Sequence, residues 1–199
     1  MTAATPPSFL FLVRALALGI VLSALAACSD SGPTKGDPSV PIKSEFSLLN
    51  QDGERVSEED YAGKYQLVYF GFTFCPDICP ATLQIMSDAL DQLPEETRSK
   101  IQPILITVDP ERDDVTAMKT YTSFFHPSFV GLTGTPREIK QAAGNFRIYY
   151  SKQQREEDSD YTMDHTSLIY LMDGEGHYID HFDHSIDAER LAESLKQLK

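Results

Sequence analysis

Along this chain, near-continuous apolar runs alternate with stretches in which apolar residues recur every three or four positions. The strip "KYQLVYFGFTF" is apolar and aromatic almost throughout, the pattern of a central strand buried on both faces. Directly after it, "ATLQIMSDALDQL" sets Leu83, Met86, Leu90 and Leu93 at helical spacing, and Pro80 suits the first helical position, where its missing N–H costs nothing. "IQPILITVD" predicts a second buried strand, Asp113 to Phe125 a second helix and "FVGLTG" a third strand. In "TPRE", Thr135 caps a further helix, Pro136 opens it and Glu138 closes a capping box. After "FRIYY", the polar, acidic "SKQQREEDSDYTMD" predicts a loop before the strand "TSLIYLMD". Asp173 to Gly176 turns that strand back into "HYIDHF", and Asp187 to Leu198 predicts a last amphipathic helix on Leu191, Leu195 and Leu198. Upstream, "EFSLLNQDGERV" carries a hairpin signal at Asp52-Gly53, and Ser57 to Tyr61 allows one helical turn. Strands alternating with helices and ending in a hairpin plus helix predict an α/β fold with a layered sheet.

The amino terminus does not share this patterning. Arg14 precedes the apolar run "ALALGIVLSALAAC", which is short for a bilayer span and ends in small residues, as an export signal does. Leu25, Ala26, Ala27 and Cys28 resemble the lipobox of bacterial lipoproteins, in which the cysteine is acylated and becomes the first mature residue. The alternative is an uncleaved anchor starting near Ser8. Either reading puts the globular part outside the cytoplasm on a membrane tether, and acyl chains contribute roughly 0.8 kcal/mol per buried methylene. From Ser29 to Pro41, "SDSGPTKGDPSVP" has linker composition. The expected organisation is a signal peptide over 1–27, a lipidated Cys28 with a flexible linker over 28–41, and one domain over 42–199.

Composition narrows the function classes. With 41% hydrophobic and 24% charged residues, the chain is neither a multi-span membrane protein nor disordered in bulk. A formal net charge of -13 repels a phosphate backbone, which excludes nucleic acid as a partner.

"FCPDICP" carries the chemistry. Cys75 and Cys79 have three intervening residues, whereas a dithiol redox pair usually has two. Positions i and i+4 put two side chains on one face of a helical turn, within reach of one metal ion. Soft sulfur donors select Cu(I) or Zn(II), and Cu(I) accepts two or three ligands where structural Zn(II) takes four. A helix amino terminus beside them lowers a thiol pKa, which favours metal binding and nucleophilic attack alike. A structural disulfide is the bland alternative, but so short a loop gives little chain-entropy stabilisation.

A third ligand would come from histidine. A lone His is more often structural or solvated than a ligand. His126 reads as a helix-end residue; His177, His181 and His184 cluster near the last hairpin, where a secondary metal contact competes with plain edge exposure. His165, in "DHTSLIYLMD", stands just before an apolar strand, which the expected fold brings beside the strand end that carries Cys75.

Together "YFGFTFCPDICPATL", "ITVDPERDD", "FVGLTGT" and "DHTSLIYLMDGEG" resemble the Sco/SenC family of thioredoxin-fold copper proteins, from about Val40 to Leu198. The resemblance implies a thioredoxin-like fold, a central mixed sheet flanked by helices, with an N-terminal β-hairpin extension. It makes Cys75, Cys79 and His165 copper ligands, a set suited to Cu(I) that accommodates Cu(II) with an added ligand. Thioredoxin-type oxidoreductases offer CxxC and a facing cis-Pro; here the pair is wider, and no Pro lies between Tyr161 and Leu171.

The function this implies is a lipid-anchored copper metallochaperone of the bacterial periplasm, on the inner membrane with its partner, that loads the binuclear copper site of cytochrome c oxidase subunit II. Other copper chaperones or thiol reductants would be further partners. The competing reading is a thiol:disulfide oxidoreductase using Cys75 and Cys79 as attacking and resolving thiols on the oxidase subunit or other periplasmic proteins. A copper or redox sensor is a third.

Overall fold

A computed structural model describes residues 42–154 and 161–198. The expected signal peptide, Cys28 and the linker lie outside the described residues. Among the described residues no helix is long and apolar enough to cross a membrane.

Among the described residues, nine strands and five helices follow in order: β1 (Ser47–Asn50), β2 (Arg55–Ser57), β3 (Tyr65–Gly71), α1 (Ile78–Asp91), α2 (Glu95–Arg98), β4 (Ile101–Thr107), α3 (Val115–Thr122), β5 (Val130–Thr133), α4 (Pro136–Asn145), β6 (Tyr150–Gln154), β7 (Tyr161–His165), β8 (Leu168–Met172), β9 (Tyr178–Asp183) and α5 (Ala188–Leu195). One 3-10 turn, Glu58–Tyr61, follows β2. Seven strands form one mixed sheet in the order β2-β1-β5-β4-β3-β8-β9, and β6 and β7 form a separate hairpin. The central trio β5-β4-β3 is parallel; β1, β8 and β9 join antiparallel. The architecture is thioredoxin-like, with the β1–β2 hairpin continuing the sheet past β5.

The central strands are buried because their side chains are apolar on both faces. Leu67, Val68, Tyr69 and Phe70 of β3, and Ile104, Leu105 and Ile106 of β4, have no exposed surface. Leu83, Met86 and Leu90 bring the apolar stripe of α1 into the same core, and α1 packs against α5 through an apolar face that includes Leu191 and Leu195. Truncating one such leucine to alanine costs about 2–5 kcal/mol, the lost transfer energy plus the cavity. At α4 the expected capping box is present: the Thr135 hydroxyl accepts the Glu138 N–H, and the Glu138 carboxylate accepts the Thr135 N–H.

Three local expectations change. "SKQQ" and "YTMDH" pair as β6 and β7, where polarity predicted a loop; Tyr150 stands opposite His165 and Lys152 opposite Met163. Only Met163 of these strands is buried, so an alternating apolar signal is missing from an edge hairpin of this kind. Helix α1 begins at Ile78, two residues before Pro80, which the first turn tolerates because its N–H groups have no intrahelical partner. Helix α3 is shorter than expected, starting after its cap Asp114, whose side chain accepts the Ala117 N–H.

The register of β8 on β3 positions the site. Tyr69 pairs with Ile169, and the strands are antiparallel. Continuing that register outward carries His165 to the level of Thr73, just before Cys75. The carboxyl end of a parallel strand is where open α/β sheets place their ligand sites.

Candidate metal centre

Beyond Gly71 the chain turns, with the Cys75 N–H donating to the Phe72 carbonyl oxygen at 3.3 Å. Cys75 is half-buried, and Cys79, the second residue of α1, is fully buried. Both are free thiols. At the start of α1, Asp77 makes no side-chain cap. The sulfur of Cys75 serves instead, accepting the Cys79 N–H at 3.3 Å and satisfying one of the unpaired donors of the first turn. Spacing alone predicted two thiols on one helical face; in the structure one thiol caps the helix and the other lies within it.

The two thiols are made chemically unequal. A hydrogen bond from Cys79, opposed by burial and assisted by the N–H groups of Cys79 and Asp77, lowers the Cys75 pKa to about 4. The same hydrogen bond, with burial and the neighbouring charge, pushes Cys79 up. A reduced pair therefore holds one proton on Cys79 and one thiolate on Cys75 at neutral pH.

His165 closes the group, with Nε2 3.4 Å from Cys79 Sγ. Its Nδ1 lies 3.1 Å from the Thr166 carbonyl oxygen, which can only accept, so Nδ1 carries the proton and the Nε2 lone pair faces the sulfurs. Tyr69 and Phe72 hold the imidazole edge-on, with ring centroids 6.1 and 5.8 Å away. The Tyr69 hydroxyl donates to Cys79 Sγ at 3.8 Å. The three potential ligand atoms of Cys75, Cys79 and His165 all lie within 4.8 Å of one another, and no other group of three metal-binding side chains occurs among the described residues. Two sulfurs and an imidazole in that space suit a soft ion of low coordination number.

The remaining histidines are engaged elsewhere. His126 Nδ1 meets the Ser128 hydroxyl, His177 the Asp173 carboxylate and His181 the Tyr178 hydroxyl, while His184 lies beside Asp183. The secondary metal contact weighed for the last hairpin is not assembled.

Two polar networks, not predicted from the sequence, hold the site's elements together. Fully buried Asp113 accepts the Thr73 N–H at 3.0 Å and the Thr107 hydroxyl at 2.6 Å, and its carbonyl accepts the Thr133 hydroxyl. It thereby joins the cysteine loop to the ends of β4 and β5. Arg112 donates from Nε to Asp109 and from Nη1 to the Tyr161 carbonyl oxygen, and the Tyr161 hydroxyl donates to Asp109 at 2.8 Å. The guanidinium also lies 3.8 Å from the Tyr161 ring centroid, so the loop after β4 grips the strand that ends in His165. The string "VDPERDD" was the available signal, but nothing in it specifies those partners.

The family model described as SCO1/SenC matches residues 34–199. The chain belongs to the SCO1/SenC family. Among curated relatives, the zebrafish (Danio rerio) "Protein SCO2 homolog, mitochondrial" is 44% identical over 76% of this chain and 55% of its own length. The chain spans about half the length of the mitochondrial SCO1 and SCO2 homologues it matches. Arabidopsis thaliana ScoI with copper bound is similar in structure, with a TM-score of 0.74 and 41% identity over 78% of this chain and 97% of that one. Bradyrhizobium japonicum ScoI with copper bound gives 0.72 and 41% over 78% and 98%. A more distant solved Sco protein, BsSco, described by a disulfide switch and as a member of the Sco family of cytochrome c oxidase assembly proteins, gives 0.60 and 26% over 79% and 95%.

Proposed function

We propose that this protein is a copper-carrying assembly factor for cytochrome c oxidase, with Cys75, Cys79 and His165 as the ligands of its cargo. One observation carries the reading: two sulfurs and an Nε2 lone pair converge within 4.8 Å at a strand end, with the imidazole tautomer fixed by Thr166. Copper in the solved Sco relatives and the assembly role stated for their family support it. Cys28 would carry the lipid, 1–27 would be removed on export, and 28–41 would let the domain reach a partner from the periplasmic face of the inner membrane.

The recipient is the binuclear copper site of subunit II. Delivery proceeds by ligand exchange. Each bond from copper to an acceptor sulfur replaces one to Cys75, Cys79 or His165; one acceptor thiol proton passes to Cys79 and any other to solvent, Cys75 is left a thiolate, and the copper oxidation state is unchanged.

A second reading has its own observation. A Cys75 thiolate beside a protonated, buried Cys79 is the arrangement of an attacking and a resolving thiol, so the pair also suits reduction of a disulfide in the oxidase subunit. The two readings part at His165. Mixing the copper-loaded protein with metal-free subunit II domain tests the first through the copper recovered on the re-isolated domain; reduction of the oxidised domain by the copper-free protein tests the second. His165→Ala is expected to abolish metal delivery and spare dithiol exchange. Delivery that survives in the variant would remove His165 from the ligand set.

A further inference from the structure

The three candidate ligands are unequally accessible: Cys79 is fully buried, while Cys75 retains exposure. Only a few large apolar side chains are exposed among the described residues, and two of them, Phe74 at 58% and Ile78 at 41%, immediately precede Cys75 and Cys79. Phe74 does not hang free. Its ring centroid lies 4.6 Å from the Arg112 guanidinium, which holds it outward. Exposing and immobilising an apolar ring gives the isolated domain no burial energy, whereas a partner that covers it finds the ordering cost already met. Between the two residues stands exposed Asp77.

We infer that Phe74 and Ile78 form the docking patch for the protein that exchanges copper with this site. The inference rests on the copper-carrier reading above and adds the side of approach and the chemistry of the partner. Ligand exchange requires an incoming sulfur to reach bonding distance of an ion held by Cys75, and Cys75 keeps exposed surface among exposed neighbours, Phe74, Pro76, Asp77 and Ile78. The partner therefore presents thiolates within an apolar surface. Basic side chains at its rim complement Asp77 and the net charge of -13. An anionic lipid surface fits less well, because the same charge repels it and it carries no sulfur ligand.

The test follows Cu(I) transfer from the loaded Phe74→Ala/Ile78→Ala double variant to metal-free subunit II domain, beside transfer to a small sulfonated chelator. Both substituted side chains are exposed, and circular dichroism checks the fold. The expected result is unchanged copper affinity, unchanged loss to the chelator, and transfer to the protein slowed about tenfold or more, the loss of a small anchor cluster. Unchanged protein transfer overturns the inference, as does equal slowing to both acceptors, which would place the two residues in the metal site itself. A variant that changes only binding to phosphatidylglycerol vesicles also overturns it, in favour of a membrane patch. Wild-type protein that fails to hold copper is a different failure, which removes the carrier reading and this inference with it. Footprinting of the wild-type complex gives an independent check: Phe74 and Ile78 are expected to be protected by the domain, and their continued reactivity contradicts docking there.

Discussion

Cys79 Sγ lies 3.4 Å from His165 Nε2, across the strand end where the chain leaves β3 and the hairpin β6–β7 returns. The contact joins residues 86 positions apart, so the site exists only when the sheet register is correct. A metal held there would therefore bind the folded state alone and stabilise it.

The inequality of the thiols predicts a reactivity profile. With its pKa lowered to about 4, Cys75 is ionised across the neutral range, whereas an ordinary thiol gains about tenfold in thiolate per pH unit below roughly 8.5. Iodoacetamide labelling of the reduced, metal-free protein, read by peptide mass, is expected to modify Cys75 at a rate nearly flat from about pH 6 to 8 and to leave Cys79 protected. A Cys75 rate that climbs through pH 8 would contradict the assigned hydrogen bonds.

Gly71 is a second sensitive point. A Cβ there would stand 2.9 Å from Tyr69 Cε1 and 3.1 Å from Cys79 Sγ. Gly71→Ala is expected to cost about 1–3 kcal/mol through overpacking and to weaken copper binding by displacing the sulfur. Urea unfolding and a metal titration read the two effects; a variant equal to wild type in both would show that Cys79 has room to move.

Arg112 acts on the site from outside it. Arg112→Gln removes the charge that links Asp109 to Tyr161 and leaves a buried carboxylate uncompensated, with an expected loss of about 3 kcal/mol. Because Tyr161 opens the strand that His165 ends, copper affinity is expected to fall about 10- to 100-fold, as for outer partners of metal ligands. Denaturation together with competitive titration checks both, and unchanged affinity would show that the hairpin is held without this grip.

Asp113 gives a pH prediction. Burial raises its pKa in the folded protein, against the opposing hydrogen bonds from Thr107 and Thr73. The folded state then binds the proton more tightly than the unfolded one. The group's contribution to stability is complete below the ordinary carboxylate pKa and declines as pH rises through the folded value. The stability difference between wild type and Asp113→Asn is expected to favour wild type most at pH below about 4 and to narrow toward neutrality. A difference that widens with pH would reverse the sign of the shift.

Much of this was legible from local pattern, because strong apolar periodicity and cap chemistry act within a few residues. The apolar run of β3, the helical stripe of α1 and the Thr135 capping box carry their own signals. Proximity of His165 to the cysteines followed from the expected fold, but its placement depends on the β3–β8 register, which no local signal specifies. The hairpin β6–β7 was missed because its strands are largely polar and exposed. Cys75 as the cap of α1 was missed because capping rules look for oxygen, and Asp77 stood in the usual place.

Anaerobic Cu(I) titration of the reduced protein against a competing chelator, beside its His165→Ala variant, tests the central claim most directly. Tight one-to-one binding is predicted for the wild type, weakened at least about a hundredfold in the variant, since even outer partners of metal ligands cost 10- to 100-fold. Binding that is weak in both, or indifferent to His165, would contradict the metal centre and leave Cys75 and Cys79 as a dithiol pair.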